Sequence, residues 1–349
     1  MMSAVPVTLD SCAPENRTVP LRPGKRTISK MTTSYQIVPF TTDHVRAAVE
    51  LFASNYRREA EGSPLLPPGI IENRERLYHA IKPLVTNPGV AVLKDNKLVA
   101  FMLSGFRFPF KGQEAMLVPE YCHASTPVDA NELYQIMYMR LANEWVCNNM
   151  HLHIIGHFAH NAILQESLYQ LGFGAILAEA LRDLSEVHGA RVTGIAEETD
   201  AGKLLDICIE ESLYYREAPI FLVQETETDK HRAIESSMQR GDTYFVFREN
   251  DGVAAYMSVG ESASEPRKEG FVLVGTRTAQ IKHAYAKPHI RGKGVGKSLL
   301  QHAVDWSIER GYERLFVEFE TANYFGGNFW RRHFTPYLYF SMRYTDNTM

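Results

Sequence analysis

Apolar and polar positions along the chain fall into two periods, and the order in which those periods appear occurs twice. In the first half, alternation predicts a strand at 35–38, and helical spacing predicts helices over 45–53 and 70–84. Two short apolar runs at 90–93 and 98–103 flank Asn96, which signals a hairpin. A long amphipathic helix over 131–147, a strand at 151–155 and a helix over 162–171 close the half at Gly172 and Phe173. The second half repeats the order. It has a strand near 191–195, helices near 201–214 and 230–240, and a hairpin over 244–248 and 253–258 that turns at Asn250, Asp251 and Gly252. Strand-like alternation at Ile281, His283 and Tyr285 then stops at Pro288, and helical spacing resumes with Leu299, Leu300, Ala303, Val304 and Ile308. Gly311 is placed to end that helix, and a strand over 315–320 follows. The pattern is that of one fold unit used twice at a long period.

Between the strand ending at Pro288 and the next helix lie Arg291, Gly292, Lys293, Gly294, Val295 and Gly296, followed by Lys297 and Ser298. A strand, a glycine-rich turn and a helix N-terminus make an anion site. Glycine lets the backbone approach a ligand, and the free amides of the first turn point at it with the positive end of the helix dipole. Three basic side chains reinforce the preference for a phosphorylated ligand. A Walker A loop would need glycine at position 291, which is arginine. A dinucleotide-binding G-x-G-x-x-G would need glycine at 297 or 299, which are lysine and leucine. The spacing that fits is R-x-x-G-x-G, met by Arg291, Gly294 and Gly296.

That spacing resembles the coenzyme A loop of the GNAT acetyltransferases, whose amides hold the pyrophosphate of acetyl-CoA. Downstream, Asn323, Gly326, Phe329 and Phe334 resemble the family's N-x-x-A-x-x-F-Y-x-x-x-G-F, with glycine in the alanine slot. Trp330 stands where the family has a tyrosine that often protonates the leaving thiolate, and the segment is one residue short. An indole N–H does not ionise usefully, so Trp330 would cover the pantetheine arm instead. In the first half, Asn161 to Phe173 resembles the family's terminal helix and Gly-Phe, yet the loop segment from Val118 to Val128 has no glycine, arginine or lysine. The resemblance thus implies an α/β (α+β) chain of two GNAT-like domains, each a mixed, mostly antiparallel sheet flanked by helices. The expected division is a flexible tail at 1–33, a degenerate copy at 34–186 and a catalytic domain at 190–349.

Length suits two domains rather than one core: 349 residues, 45% hydrophobic. A formal net charge of -4 gives no drive toward nucleic acid or an anionic membrane, and no apolar run is long enough to span a bilayer. Cys12, Cys122, Cys147 and Cys208 are scattered without metal spacing and read as reduced thiols, so the expectation is a cytoplasmic protein without a metal. Residues 1–30 carry prolines and basic residues but no signal-peptide core, and Met31 is an alternative start.

The resemblance implies acetyl transfer from acetyl-CoA, a cosubstrate, to a primary amine by direct attack in a ternary complex. The strands flanking the loop would splay, and the amides of Ala284, Tyr285 and Ala286 would meet the thioester carbonyl. Cofactor contacts would then run from Arg291 to Ser298 and include Asn323, Phe329 and Trp330. For the base, His283 is preferred because histidine titrates near neutrality, with Glu318, Glu320 or a held water as rivals. For the acid, Tyr324, Tyr337 or water remain open. Glu210, Glu211, Tyr214, Tyr215 and Arg216 suit a cationic acceptor, small molecule or peptide. A homodimer is allowed. The rival readings are a non-catalytic acyl-CoA sensor and another transferase on the same fold.

Overall fold

The computed structural model describes residues 35–110, 112–223, 226–262 and 271–346; the tail expected at 1–33 lies outside them. The first half runs β1 (Gln36–Pro39), α1 (Val45–Gly62), α2 (Gly69–Glu72), α3 (Arg74–Ile81), β2 (Gly89–Lys94) and β3 (Lys97–Leu103). It continues with β4 (Phe106–Phe110), β5 (Gln113–Val118), β6 (His123–Ser125), α4 (Ala130–Cys147), β7 (Leu152–Phe158), α5 (Ala162–Gln170) and β8 (Gly174–Arg182). The second half runs β9 (Ile195–Glu198), α6 (Ala201–Arg216), α7 (Glu227–Gln239), β10 (Thr243–Glu249), β11 (Gly252–Glu261) and β12 (Thr278–Ala286). It ends with α8 (Val295–Glu309), β13 (Arg314–Glu320), α9 (Tyr324–His333) and β14 (Thr335–Tyr344).

Local chemistry explains where expectation and structure part. The helix expected over 70–84 breaks at Asn73, whose side chain caps α3 by accepting from the Arg76 amide at 3.2 Å. The strand expected at 191–195 starts only at Ile195, because Gly194 takes φ +80 and ends any extended run there. Beyond the expected elements the structure adds a β4–β5 hairpin, in which Phe106, Phe108 and Phe110 alternate with Arg107 and Pro109. β4 is a sheet edge, the position where a strand tolerates proline.

Strands β1-β2-β3-β6 form one sheet, and the other runs β4-β5-β7-β14-β8-β13-β12-β11-β10-β9. The longer sheet crosses both halves by an exchange of last strands. β8 ends the first half but pairs with β13, and β14 ends the second half but inserts between β7 and β8. The cores follow the strands. Phe316, Leu338 and Phe340 enter the core built on α1, α3 and α4, while Ala178 and Ala180 enter the core beneath α8. A third, smaller core joins α6 and α7 to Tyr244, Val246, Tyr256 and Tyr285. The second half's sheet therefore has α8 on one face and α6 with α7 on the other.

Candidate active site

Positive φ builds the glycine loop. Gly292 takes φ +78, and Gly294, the N-cap of α8, takes φ +86, a region open to glycine at little cost. Among the described residues, the amides of Gly292, Gly294, Val295 and Gly296 make no hydrogen bond, whereas Lys297 and Ser298 already donate to the Gly294 carbonyl. Four open amides at the end of a 15-residue helix make a concave donor set for an anion. A Cβ at Gly296 would stand 3.3 Å from the Phe329 ring, so α9 packs directly on the loop through these two residues.

Not every basic residue of the loop faces outward. Arg291 donates from Nε to the Ala286 carbonyl at 2.9 Å. Its guanidinium stacks 4.7 Å from Phe325, 4.9 Å from Tyr214 and 5.5 Å from Tyr285, which pins the loop to β12, α6 and α9. Lys293 is exposed and Lys297 half-buried over Gly189. Burial holds His333 below the usual histidine range, and the nearby charges of Arg182, Lys297 and Arg332 add to the effect. This side of α8 is electropositive. The Ser298 hydroxyl is buried and accepts from the Val192 amide at 2.9 Å, so it holds the chain rather than facing the loop.

β12 and β13 run parallel and pair only from Thr278–Arg314 to Ile281–Val317. A bulge at Lys282, between the Ser258–His283 and Val259–Ile281 pairs, bends β12 there. Beyond it the residues of β12 from His283 to Ala286 and of β13 from Glu318 to Glu320 part company, leaving a gap that opens beside the glycine loop.

Polar side chains converge on this gap from α6. Glu211 is buried, accepts from the Tyr256 hydroxyl at 2.5 Å, and lies 3.9 Å from both Lys230 Nζ and His283 Nδ1. His283 itself is exposed, with its backbone amide tied to Ser258 Oγ at 3.1 Å. Glu210 accepts from the Tyr285 hydroxyl at 3.1 Å and meets Lys287 at 3.4 Å. Burial first, then Glu210, raises the Tyr285 phenol to about 12. Asn323 caps α9, accepting from the Gly326 amide at 2.9 Å and from the Tyr214 hydroxyl at 2.7 Å, and donates to the Tyr215 hydroxyl at 3.3 Å. Burial raises Tyr215 well above an ordinary phenol, and the charges of Glu211 and Glu320 raise it further. Tyr215 therefore stays protonated between two carboxylates.

The structure thus brings His283, Glu320, Asn323, Ala284, Tyr285 and Ala286 together with Glu211 and Tyr215. It places other expected residues elsewhere. Tyr324 is 68% exposed and packs edge-on against Phe325. Trp330 is buried under α8 against Phe334, and Tyr337 is buried with its hydroxyl on Glu179. Glu318, by contrast, stays at the mouth of the gap, exposed on β13 opposite Glu179 of β8. Tyr256 and Lys230, the other partners of Glu211, were not singled out in the sequence. Their signal is only a buried strand tyrosine and a helical lysine.

The corresponding place in the first half is built differently. β6 pairs with β3, and α4 starts at Asp129, which takes φ +57 without glycine. The Asp129 carboxylate accepts from the Tyr35 hydroxyl at 2.6 Å, which puts a negative charge where the second half offers open amides.

Residues 210–334 match the acetyltransferase (GNAT) family. The matched span starts in α6 and ends after α9, so it contains the loop, the gap and the polar cluster. A GCN5-related N-acetyltransferase from Sphaerobacter thermophilus superposes with a TM-score of 0.55 at 14% identity, over 89% of this chain and 95% of that one. A glucosamine N-acetyltransferase region of a fungal multi-domain β-N-acetylglucosaminidase gives 0.51 at 8% identity, over 89% and 38%. A tandem GNAT protein from the clavulanic acid biosynthesis pathway gives 0.46 at 11%, over 90% and 100%. No curated protein matches the chain. The GNAT-like fold extends over both halves, and it is a fold that supports acyl transfer. Among the described residues, no helix is long and apolar enough to cross a membrane.

Proposed function

We propose that the chain transfers an acetyl group from acetyl-CoA to a primary amine, with one working site in the second half. The observation that carries this reading is the set of four open amides of Gly292, Gly294, Val295 and Gly296 beside the gap between β12 and β13. In this reading the pyrophosphate lies on the loop, and the thioester carbonyl lies in the gap near Ala284 to Ala286. The amine nitrogen attacks that carbonyl, a C–N bond forms, and the C–S bond breaks as the thiolate leaves. His283 accepts the amine proton, directly or through a water, with Glu211 orienting its ring from 3.9 Å. Glu320 is the rival base on the facing strand. Tyr215 takes the place first given to Tyr324 as the phenol that can donate at the site. The first half lacks the loop and serves as the wall that β8 and β14 tie to the working half.

The test is turnover of acetyl-CoA against a panel of primary amines, with His283→Gln and Glu320→Gln beside the unaltered chain. A general base contributes about 10²- to 10⁴-fold, so one of the two variants should lose at least about 10²-fold in kcat while acetyl-CoA still binds at one site per chain. Tight acetyl-CoA binding with no turnover on any amine would overturn the enzymatic reading. It would favour a non-catalytic acyl-CoA sensor, the reading that the buried Trp330 in the tyrosine slot supports.

A further inference from the structure

A cavity of about 290 Å³ lies on the α6 face of the long sheet, where the exchanged strands meet. Its walls are mostly apolar and aromatic, including Phe108, Phe271, Phe316 and Phe340. Among the described residues its lining carries three carboxylates, Glu120, Glu179 and Glu318, and no basic side chain. Glu120 lies deepest. It is 1% exposed, and its Oε1 accepts from the Phe271 amide at 2.9 Å. Among the described residues its Oε2 is buried without a hydrogen-bond partner. An unpaired carboxylate oxygen away from water costs about 1–3 kcal/mol or more, so a group that lines a cavity in this state is a site for a donor. Tyr337 stands between the carboxylates, with its hydroxyl on Glu179 and close enough to Glu120 to feel its charge. Glu179 lies opposite Glu318 across β8 and β13. Glu318 directly follows Val317, the last β13 residue paired with β12. An acidic track therefore runs from the gap of the candidate active site down to Glu120.

We propose that this cavity is the acceptor subsite and takes a diamine with an apolar spacer, its inner ammonium against Glu120 and its outer amine beside Glu318. The assignment rests on the acyl-transfer reading above, in which the outer amine is the one that attacks. Three carboxylates favour a cation, and aromatic walls receive both the spacer and the charge. Burial holds the Glu120 carboxyl up to about 7, opposed by the amides of Phe271, Glu120 and Val272, and an ammonium beside it would favour its ionised form. A cavity of this volume suits a short alkyl or single-ring spacer.

Calorimetry on the full chain, without acetyl-CoA, compares α,ω-diaminoalkanes with the matching monoamines. The proposal expects the best diamine to bind at least about 10-fold tighter than its monoamine. Glu120→Gln should bring the diamine down to the monoamine's affinity, and Leu273→Trp, which fills the cavity from a loop, should abolish both. Acetyl-CoA titration and thermal unfolding of each variant separate this from misfolding. Equal affinity of diamine and monoamine, or unchanged diamine binding in folded Glu120→Gln, would overturn the proposal. Diamine binding without turnover would sink the acyl-transfer reading alone, whereas turnover of monoamines without diamine preference would sink the subsite alone.

Discussion

Three histidines in the first half's core set how the fold should respond to acid. His123 bridges the Gly156 carbonyl at 2.7 Å and the Tyr134 hydroxyl at 3.1 Å; His153 bridges the Met150 carbonyl and the Tyr138 hydroxyl; His157 meets Ser341 Oγ at 2.9 Å. All three are buried, and burial lowers each from the usual 6.5 to about 4. His157 is lowered further by His123, so the first proton taken up resists the second. Between about pH 4 and 6.5 the unfolded chain binds three protons that the folded chain refuses. Stability is complete above 6.5 and is lost as pH falls through this window. Glu120 acts with the opposite sign. Its folded value of about 7 stands above the usual 4.5, so between those values the folded chain holds one proton that the unfolded chain does not. The net difference from these four groups is two protons, a slope of about 2.7 kcal/mol per pH unit. From pH 6.5 to 4.5 that removes roughly 5 kcal/mol, comparable with the whole stability of a typical domain. Urea unfolding followed by circular dichroism at half-unit steps of pH measures the slope. Glu120→Gln should steepen it toward three protons, and His157→Asn should reduce it toward one. A stability that stays flat between pH 6.5 and 4.5, or a slope that neither variant changes, would refute the burial argument.

Other expectations follow from the site. Gly294→Ala forces a side chain into φ +86, at a cost of about 1–2 kcal/mol, and acetyl-CoA affinity by calorimetry should fall about 5- to 30-fold. Asn323→Ala removes the cap of α9 and frees Tyr214 and Tyr215. It should lower stability by about 1 kcal/mol in urea and reduce kcat by more than that loss explains. Trp330→Tyr leaves a gap and a buried hydroxyl in the core under α8. The expected result is a chain destabilised by about 1–3 kcal/mol with no gain in kcat, and an increased kcat would show that the slot reaches the thioester.

Much of the second half was legible in the sequence because its signals are local. Glycine spacing after Pro288, helical periodicity from Leu299 and alternation from Leu315 each depend on a few neighbouring residues. The open amides of Gly292, Gly294, Val295 and Gly296 follow from that spacing. The sequence also determined that the first half lacks such a loop, since no glycine lies between Val118 and Val128. Three things were decided only by the tertiary structure. The exchange of β8 and β14 depends on pairing across about 130 to 190 residues, which no local pattern encodes. The Glu211–His283 pair and the Tyr215 phenol meet because α6 packs against β12, so their spacing in sequence carries no trace of it. The acidic cavity draws Glu120 and Glu318 from opposite halves. In sequence Glu318 stands out only as a candidate base and Glu120 not at all, because burial at the strand exchange is what sets Glu120 apart.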